Sequence, residues 1–339
     1  MKRTESDGGT GDAFTFDVES TVEVTTRERV VDFYEEFIYK PGLVALDDKR
    51  TAIGGGILVV YLLMATVGAW LYPEPTTNQV ARGIQPFQTM DAPLGSTPSG
   101  VDILAQTIHA TPDMFILVTS GAVFATGLAV LTGTVSGYKG GRVDAVITTL
   151  SDIAMSIPGL PLVMVLAVTL NPKHPAVVGV VLTINYWSGL GRAIRSQVLT
   201  LREEAYTEAS RAMGLSTRRI LAKDIIPNLM PYVLVNFAFA ARYCIFSAVG
   251  LYFLGVLPTN LANWGLQIQD AYDRSVLVGT GPKYQILVPM ITVAVFSLAL
   301  VLLAQGLDRV FNPRVRTRMA GESESIDGED ESVTQAGGI

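Results

Sequence analysis

Apolar and polar segments alternate along the chain, and the apolar ones are long enough to be membrane helices. Runs of about 20 apolar residues can cross the hydrocarbon core of a bilayer as an α-helix. Such runs predict six spans, at residues 51–72, 114–138, 147–170, 176–191, 229–256 and 284–306. Because backbone polar groups in lipid must bond within their own segment, this pattern predicts an all-α, polytopic membrane protein with six transmembrane helices.

The polar segments around the spans differ in kind. Residues 1–29 and the acidic residues 315–339 show no apolar periodicity and are predicted to be a flexible and a disordered tail. Residues 30–46 mix aromatic and charged side chains, which fits an amphipathic helix at the membrane interface or a soluble helix packed on a partner. Residues 73–112 are rich in proline and glycine and are predicted to form an external loop. One membrane domain, residues 30–314, therefore lies between two tails, and no signal peptide is expected.

Proline and glycine mark special positions inside the spans. Pro158 and Pro161 are expected to kink the third span, because each removes a backbone donor. Gly121, Gly127 and Gly133 recur along the second span and are expected to let neighbouring helices approach closely.

A charged island, residues 202–228, interrupts the apolar pattern between the fourth and fifth spans. Residues 203–213 are predicted to form a helix that Gly214 ends, residues 215–224 a second helix, and Pro227 the end of that helix. The first helix is amphipathic, with small residues on one face and charged residues beside it: Ala205, Ala209 and Ala212, then Glu204, Glu208 and Arg211. Such a face suits docking into a groove, whereas a plain connector between spans would be shorter.

Composition and charge agree with a membrane protein and give its orientation. The chain is 49% hydrophobic and 17% charged, with a mean hydropathy of +0.37, which excludes an ordinary soluble domain. With the N-terminus inside, the inner segments carry twenty Lys and Arg residues and the outer segments four. The positive-inside rule therefore predicts a multi-pass protein of the cell membrane with both termini and the charged island in the cytoplasm.

The sequence shows no pattern typical of an enzyme. It lacks a P-loop, a GxSxG elbow and paired carboxylates in an apolar setting. Its one cysteine, Cys244, lies in a span, and His109 and His174 stand far apart, so each histidine is expected to be bonded or solvated rather than a metal ligand. We therefore expect no catalytic residues, no metal, no cofactor and no nucleic-acid partner.

The charged island resembles the EAA loop of permeases from ABC importers. The resemblance is carried by the spacing of Glu208, Ala209 and Ser210, then Gly214, then Ile226 and Pro227. Ser210 stands in place of the second alanine, Asp224 in place of an isoleucine and Ile226 in place of a leucine.

Other stretches resemble the dipeptide, oligopeptide and nickel type of this permease family. They are residues 93–102 in the external loop, Asn263-Trp264-Gly265, and Asn312-Pro313-Arg314 near the end of the last span. In the external loop the family's charged positions are Pro98 and Val101 here.

The resemblance implies a type I ABC-importer permease with six spans. It also implies a second homologous permease, two cytoplasmic ATPases and an external substrate-binding protein, soluble or lipid-anchored, with ATP hydrolysed in the partners. Its coupling role falls on Glu204, Glu208, Ala209, Ser210, Gly214, Ile226 and Pro227. Peptide is the expected cargo, and nickel or an oligosaccharide is the alternative within this family. An ion-coupled carrier and a membrane scaffold without transport are the alternatives from other classes.

Polar side chains in the spans are candidates for the transport pathway: Asp152, Asn185, Tyr186, Asn236 and Arg242. An arginine at mid-depth costs about 2.5–3.5 kcal/mol on insertion scales, so Arg242 is expected to face a cavity, where it could attract a peptide carboxylate, or to pair with an acid in the bundle or across the permease interface. Asp152 could instead be a hydrogen-bonding anchor between helices, and Tyr186 an interfacial anchor.

Overall fold

The computed structural model describes residues 48–257, 262–278 and 282–311. The two predicted tails, the segment 30–46 and the Asn312-Pro313-Arg314 motif lie outside these residues. The described part is built from helices, and its single β-bridge joins Ser96 to Asp102 without forming a strand. The prediction of an all-α fold is confirmed there.

The helices are numbered here in chain order. They are α1 Lys49–Leu63, α2 Ala69–Leu71, α3 Ile103–Lys139, α4 Gly141–Ser156, α5 Gly159–Leu170, α6 Pro175–Leu182, α7 Tyr186–Leu201, α8 Ala205–Ala212, α9 Thr217–Ile220, α10 Ile226–Phe253, α11 Trp264–Val278 and α12 Tyr284–Phe311. Two π-helical turns, Met64–Gly68 and Leu221–Ile225, join α1 to α2 and α9 to α10.

Within the described residues, four continuous helical stretches are long and apolar enough to cross a membrane. They are Lys49–Leu71, Ile103–Lys139, Thr217–Phe253 and Tyr284–Asp308. Two bent pairs, α4 with α5 and α6 with α7, bring the number to six when each pair counts as one span. The six predicted spans thus correspond, in the described residues, to four continuous helices and two bent pairs.

The third span bends by 84° between α4 and α5, where the chain passes through Ile157 and Pro158 in extended conformation. The predicted kink is therefore confirmed at Pro158. Pro161 lies in the first turn of α5, where the missing N–H leaves no helical bond unmade.

The fourth span differs more from the prediction, since it runs to Leu201 and bends by 61° between α6 and α7. No proline marks this break. The side chain of Thr183 stabilises it, with its hydroxyl 3.0 Å from the carbonyl oxygens of both Gly121 and Gly179.

The second span begins at Ile103 and not at residue 114, so ten residues assigned to the external loop are helical. Asp102 caps this helix by accepting a bond from the Leu104 amide at 3.0 Å. Thr107 and Thr111 make the segment look polar in sequence, but each hydroxyl donates to the carbonyl one turn earlier, at 2.8 Å. Both side chains are buried. The apolar pattern missed this segment because it counts threonine as polar, whether or not its hydroxyl is bonded within the helix.

Helix α3 lies at the centre of the packing, against α6, α7 and α10. A Cβ atom on Gly121 would stand 2.7 Å from both the Gly179 carbonyl oxygen and the Cys244 sulfur, so only glycine allows this approach. A Cβ atom on Gly133 would likewise stand 2.6 Å from the Gly191 carbonyl oxygen. A Cβ on Gly127 would meet nothing within 4 Å, so the prediction of close approach is wrong for that residue.

The ends of the spans next to the predicted external loop are tied together by polar contacts. The Tyr284 hydroxyl, at the start of α12, lies 2.8 Å from the carbonyl oxygen of Ile84 and 3.0 Å from that of Ser96 in the external loop. The fully buried Trp264 begins α11 and donates its indole N–H to the Thr107 carbonyl at 3.2 Å. The polar segment before the sixth span thus contains a helix anchored on α3.

Candidate coupling site and candidate pathway face

The first half of the charged island forms a short helix with a sharp end. Helix α8 begins after Glu204, whose extended backbone accepts the amides of Thr207 and Glu208 at 2.9 and 3.1 Å. It ends at Ala212, and Gly214, two residues later, turns the chain with a left-handed φ of +76°. A Cβ there would meet nothing within 4 Å, so the need for glycine is conformational and not steric. The predicted helix and its glycine end are both present.

Helix α8 has one face against the rest of the chain and one free face. Thr207 is fully buried and its hydroxyl donates to the Leu201 carbonyl at 2.9 Å. Ser210 is 7% exposed and lies on this inner side, although the motif placed it beside Ala209. The free face carries the predicted small and charged residues: Glu204, Ala205, Glu208, Ala209, Arg211 and Ala212.

Two arginines connect α8 to the ends of α3 and α7. The Arg211 guanidinium lies 5.4 Å from the ring centre of Tyr138 and donates to the Arg202 carbonyl at 3.0 Å. Arg202 in turn donates to the Gly137 carbonyl in the last turn of α3, at 3.1 Å, where a cation also suits the helix dipole. We call these contacts the arginine brace. A polar cavity of about 550 Å³ opens beside it, lined among others by Lys139 and Glu208.

The arginine brace was missed in the sequence because Tyr138 and Arg211 are distant along the chain and share no motif.

On α8, partial burial and the charge of Glu204 raise the pKa of Tyr206. Tyr206 therefore remains a neutral phenol near pH 7 and adds no charge to the free face.

The second half of the charged island differs from the prediction, since Pro227 does not end a helix. Helix α9 passes through the π-helical turn Leu221–Ile225 directly into α10, so Thr217–Phe253 is one continuous helical stretch. Pro227 occupies the first turn of α10, where a missing N–H is tolerated. The buried Ile225 and half-buried Ile226 pack this junction onto the bundle. The charged island is therefore joined rigidly to the fifth span.

Asp224, which replaces an isoleucine of the motif, lies in this π-helical turn. Its Oδ2 atom is buried and has no hydrogen-bond partner among the described residues. Its backbone carbonyl accepts a bond from the Asn228 side chain at 2.6 Å.

A second candidate region, the pathway face, is formed by Asn185 and Tyr186 of the broken fourth span together with Tyr232, Asn236, Arg242 and Tyr243 of α10. Five of these six residues, all except Arg242, line a cavity of about 560 Å³. The rings of Tyr186 and Tyr243 are 4.7 Å apart between centroids. The Asn185 amide reaches the Ile157 carbonyl at 3.5 Å, so the breaks in the third and fourth spans meet at this face.

Arg242 extends the pathway face into a second cavity of about 730 Å³, which it lines with Tyr186 and Tyr243. Its side chain is exposed, and its guanidinium lies 5.7 Å from the ring centre of Phe246. Among the residues that the structure describes, no acidic side chain is paired with it. The pairing inside the bundle that the sequence left open is therefore not observed in these residues.

Residues 129–317 match the family described as binding-protein-dependent transport system inner membrane component. The chain belongs to this family. The match covers the charged island and all of α10, and the resemblance to ABC-importer permeases is confirmed.

Named relatives of this permease share most of its length. The oligopeptide transport system permease protein of Bacillus subtilis is 32% identical over 238 residues, covering 69% of this chain and 77% of that protein. The dipeptide transport system permease protein of the same species is 26% identical, covering 80% and 84%. The dipeptide transport system permease protein of Lactococcus lactis is 27% identical, covering 82% and 93%.

Asp152 is placed apart from the other pathway candidates of the permease. It forms an ion pair with Arg192 that joins α4 to α7, and both side chains are half exposed. A second and more buried pair, Asp144 with Arg195, joins the same helices through two bonds of 2.5 Å. This geometry favours the alternative of a helix anchor for Asp152.

Each histidine is hydrogen-bonded to the backbone, and the cysteine is buried. His109 lies 3.0 Å from the Tyr72 carbonyl oxygen, and His174 accepts the Ala176 amide at 3.2 Å in the first turn of α6. Cys244 is buried. Within the described ranges, no three His, Cys, Asp or Glu residues come together as metal ligands.

Proposed function

We propose that this permease forms half of the transmembrane pathway of an ATP-driven peptide importer. The kind of cargo is inferred from its relatives, which are named as oligopeptide and dipeptide transport permeases. They align with 69–82% of this chain. The other half is a second homologous permease, and an external binding protein, soluble or lipid-anchored, delivers the peptide.

Energy enters at the charged island, where α8 docks into a groove on a cytoplasmic ATPase. Ala205, Ala209 and Ala212 leave room for a partner surface on the free face of α8, and Glu208 offers a polar contact beside them. ATP is hydrolysed in two such partners and not in this chain, which is a transport component by family. Gly214 sets the angle at which α8 leaves the membrane domain.

Movement of α8 reaches the spans by two routes. The arginine brace links α8 to α3 and α7, and the continuous helix from α9 to α10 links the same region to the fifth span. Because packed helices move as rigid bodies, a displacement of α8 would shift the helices that carry the pathway face. Cargo passes along that face, and the second permease covers it from the other side.

The orientation that supports this mechanism places both termini and the charged island in the cytoplasm. It rests on the excess of Lys and Arg in the segments that would then be internal. The external loop and α11 lie at the opposite ends of the spans and would face the binding protein.

Nickel or an oligosaccharide remains the alternative cargo for the same kind of importer. The names of the relatives favour peptide, and the pathway face, with its tyrosines and amides, suits peptide groups as well. An ion-coupled carrier is disfavoured by the family to which the chain belongs.

The experiment that tests this function is uptake by the complete transporter in proteoliposomes. A labelled oligopeptide should accumulate only when the binding protein is outside and ATP is on the side of the charged island. Undiminished uptake without ATP, lost when an ion gradient is collapsed, would reject the proposal. Uptake of nickel or an oligosaccharide with no uptake of peptide would reject the cargo alone.

A further inference from the structure

Arg242 has no described partner that accounts for its charge. It lies near the middle of α10, and the contact the structure gives its guanidinium is the Phe246 ring, at 5.7 Å from the ring centre. A charged side chain at this depth must face a water-filled cavity or a charged partner, since lipid would not solvate it.

Open cavities lie on both sides of Arg242. Arg242 lines one of about 730 Å³ together with Leu160 and Met164 of α5. It lines another of about 700 Å³ together with Tyr272 of α11 and Met290 of α12. Both are lined mostly by apolar and aromatic side chains. A cationic group between two apolar cavities provides the elements of a site for a ligand with one anionic group and bulky apolar substituents.

The residues around Arg242 show which side of α10 is turned toward the pathway. Asn236 and Tyr243 lie on the same face of α10 and line the cavity of about 560 Å³, which Tyr186 and Tyr243 share with the first of these two cavities. The Asn236 side-chain nitrogen donates to the Tyr232 carbonyl at 2.8 Å, and among the described residues no donor bonds to its side-chain oxygen. Acceptors and donors of this kind suit the backbone of a peptide.

We propose that Arg242 binds the carboxylate of the transported peptide as it passes along the pathway face. This inference rests on the proposed function. A guanidinium offers two parallel N–H donors to a carboxylate, and the bond is strengthened in a cavity of low polarity. The cavities on either side receive the peptide's side chains. Arg242 thereby favours peptides with a free carboxylate over neutral analogues, in addition to any selection by the binding protein.

The test compares two peptides that the wild type imports and that differ only in a terminal carboxylate or amide. The complete transporter is assayed in proteoliposomes with the wild type, Arg242→Gln, Arg242→Lys and Arg50→Gln. Arg50, which donates to Gln305 at 3.0 Å, controls for the loss of one cation from a span. Because the binding protein is the same throughout, the mutant-to-wild-type ratio for each peptide isolates the permease.

We expect Arg242→Gln to lower uptake of the carboxylate peptide roughly tenfold and uptake of the amide less than twofold. Arg242→Lys should fall between wild type and Arg242→Gln, because it keeps the charge and loses the fork. Arg50→Gln should leave the ratio of the two peptides unchanged.

An equal fall for both peptides in Arg242→Gln would overturn the inference. If the two permeases also separated on affinity purification, the partner of Arg242 would be an acid of the second permease. A wild type that imports neither peptide with ATP would reject the proposed function instead, so the two failures are distinguishable.

Discussion

The continuous helical stretch Thr217–Phe253 carries the second half of the charged island and four of the six residues of the pathway face, yet the two regions are organised in opposite ways. The charged island is set by residues near one another in sequence: Glu204 begins α8, and Gly214 ends it. The pathway face is assembled from the broken fourth span and from α10, which meet only in the fold. A local motif can therefore identify the proposed coupling site of this permease, whereas its proposed pathway requires the structure.

The largest expected effect concerns the geometry of the charged island. Gly214→Val places a β-branched residue at φ +76°, which costs about 1–3 kcal/mol locally and redirects α8. Glu208→Arg reverses a charge on the free face. Both variants should abolish peptide uptake and peptide-stimulated ATP hydrolysis while the permease remains inserted in the membrane.

Gly127→Val provides the matched control, because a Cβ on that glycine meets nothing within 4 Å. It should keep uptake near the wild-type rate. Wild-type uptake in Gly214→Val or Glu208→Arg would show that the charged island is only a connector.

The arginine brace gives a second, smaller effect that separates docking from transmission. Arg211→Ala removes the contact with Tyr138 and the bond to the Arg202 carbonyl but leaves most of the free face of α8 intact. The ATPases should still bind and hydrolyse ATP, and the ATP consumed per peptide should rise roughly fivefold.

The control for this measurement is Arg142→Ala, which removes an exposed cation at the start of α4. Its coupling ratio should equal that of the wild type. An unchanged ratio in Arg211→Ala would mean that the arginine brace carries no movement.

The smallest effect is expected at Asp152. Its ion pair with Arg192 is half exposed, and pairs of this kind contribute at most about 1 kcal/mol. Asp152→Asn should lower uptake less than twofold. Asp144→Asn should lower the unfolding temperature in detergent more than Asp152→Asn does, because the pair with Arg195 is bidentate and more buried. A large loss of uptake in Asp152→Asn alone would place Asp152 on the pathway.

The parts of the fold that follow from length and local chemistry were predictable. Six apolar runs and Pro158 marked the spans and one of their breaks. The start of α3 was not predictable from apolarity, because Thr107 and Thr111 satisfy their hydroxyls within the helix. The break at Thr183 depends on a bond to Gly121 in another helix and has no local signal.

The candidate sites show the same division. Asn185, Tyr186, Asn236 and Arg242 were chosen as isolated polar residues and share one face. Tyr232 and Tyr243 were missed, although their spacing around Asn236 would place all three on one side of a helix. The prediction that Pro227 ends a helix was wrong, because the π-helical turn before it lets α9 continue into α10.

Docking of α8 onto an ATPase is the central claim, and site-directed cross-linking tests it most directly. Single cysteines at Ala205, Ala209 and Ser210 are introduced in a Cys244→Ala background, labelled with a short reagent that carries one thiol-reactive and one photoreactive group, and illuminated in the complete transporter. We expect cross-links to the ATPase from Ala205→Cys and Ala209→Cys, because both positions are on the free face. We expect none from Ser210→Cys, because Ser210 is buried. A cross-link from Ser210→Cys alone, or from none of the three positions while the wild-type complex stays intact, would contradict it.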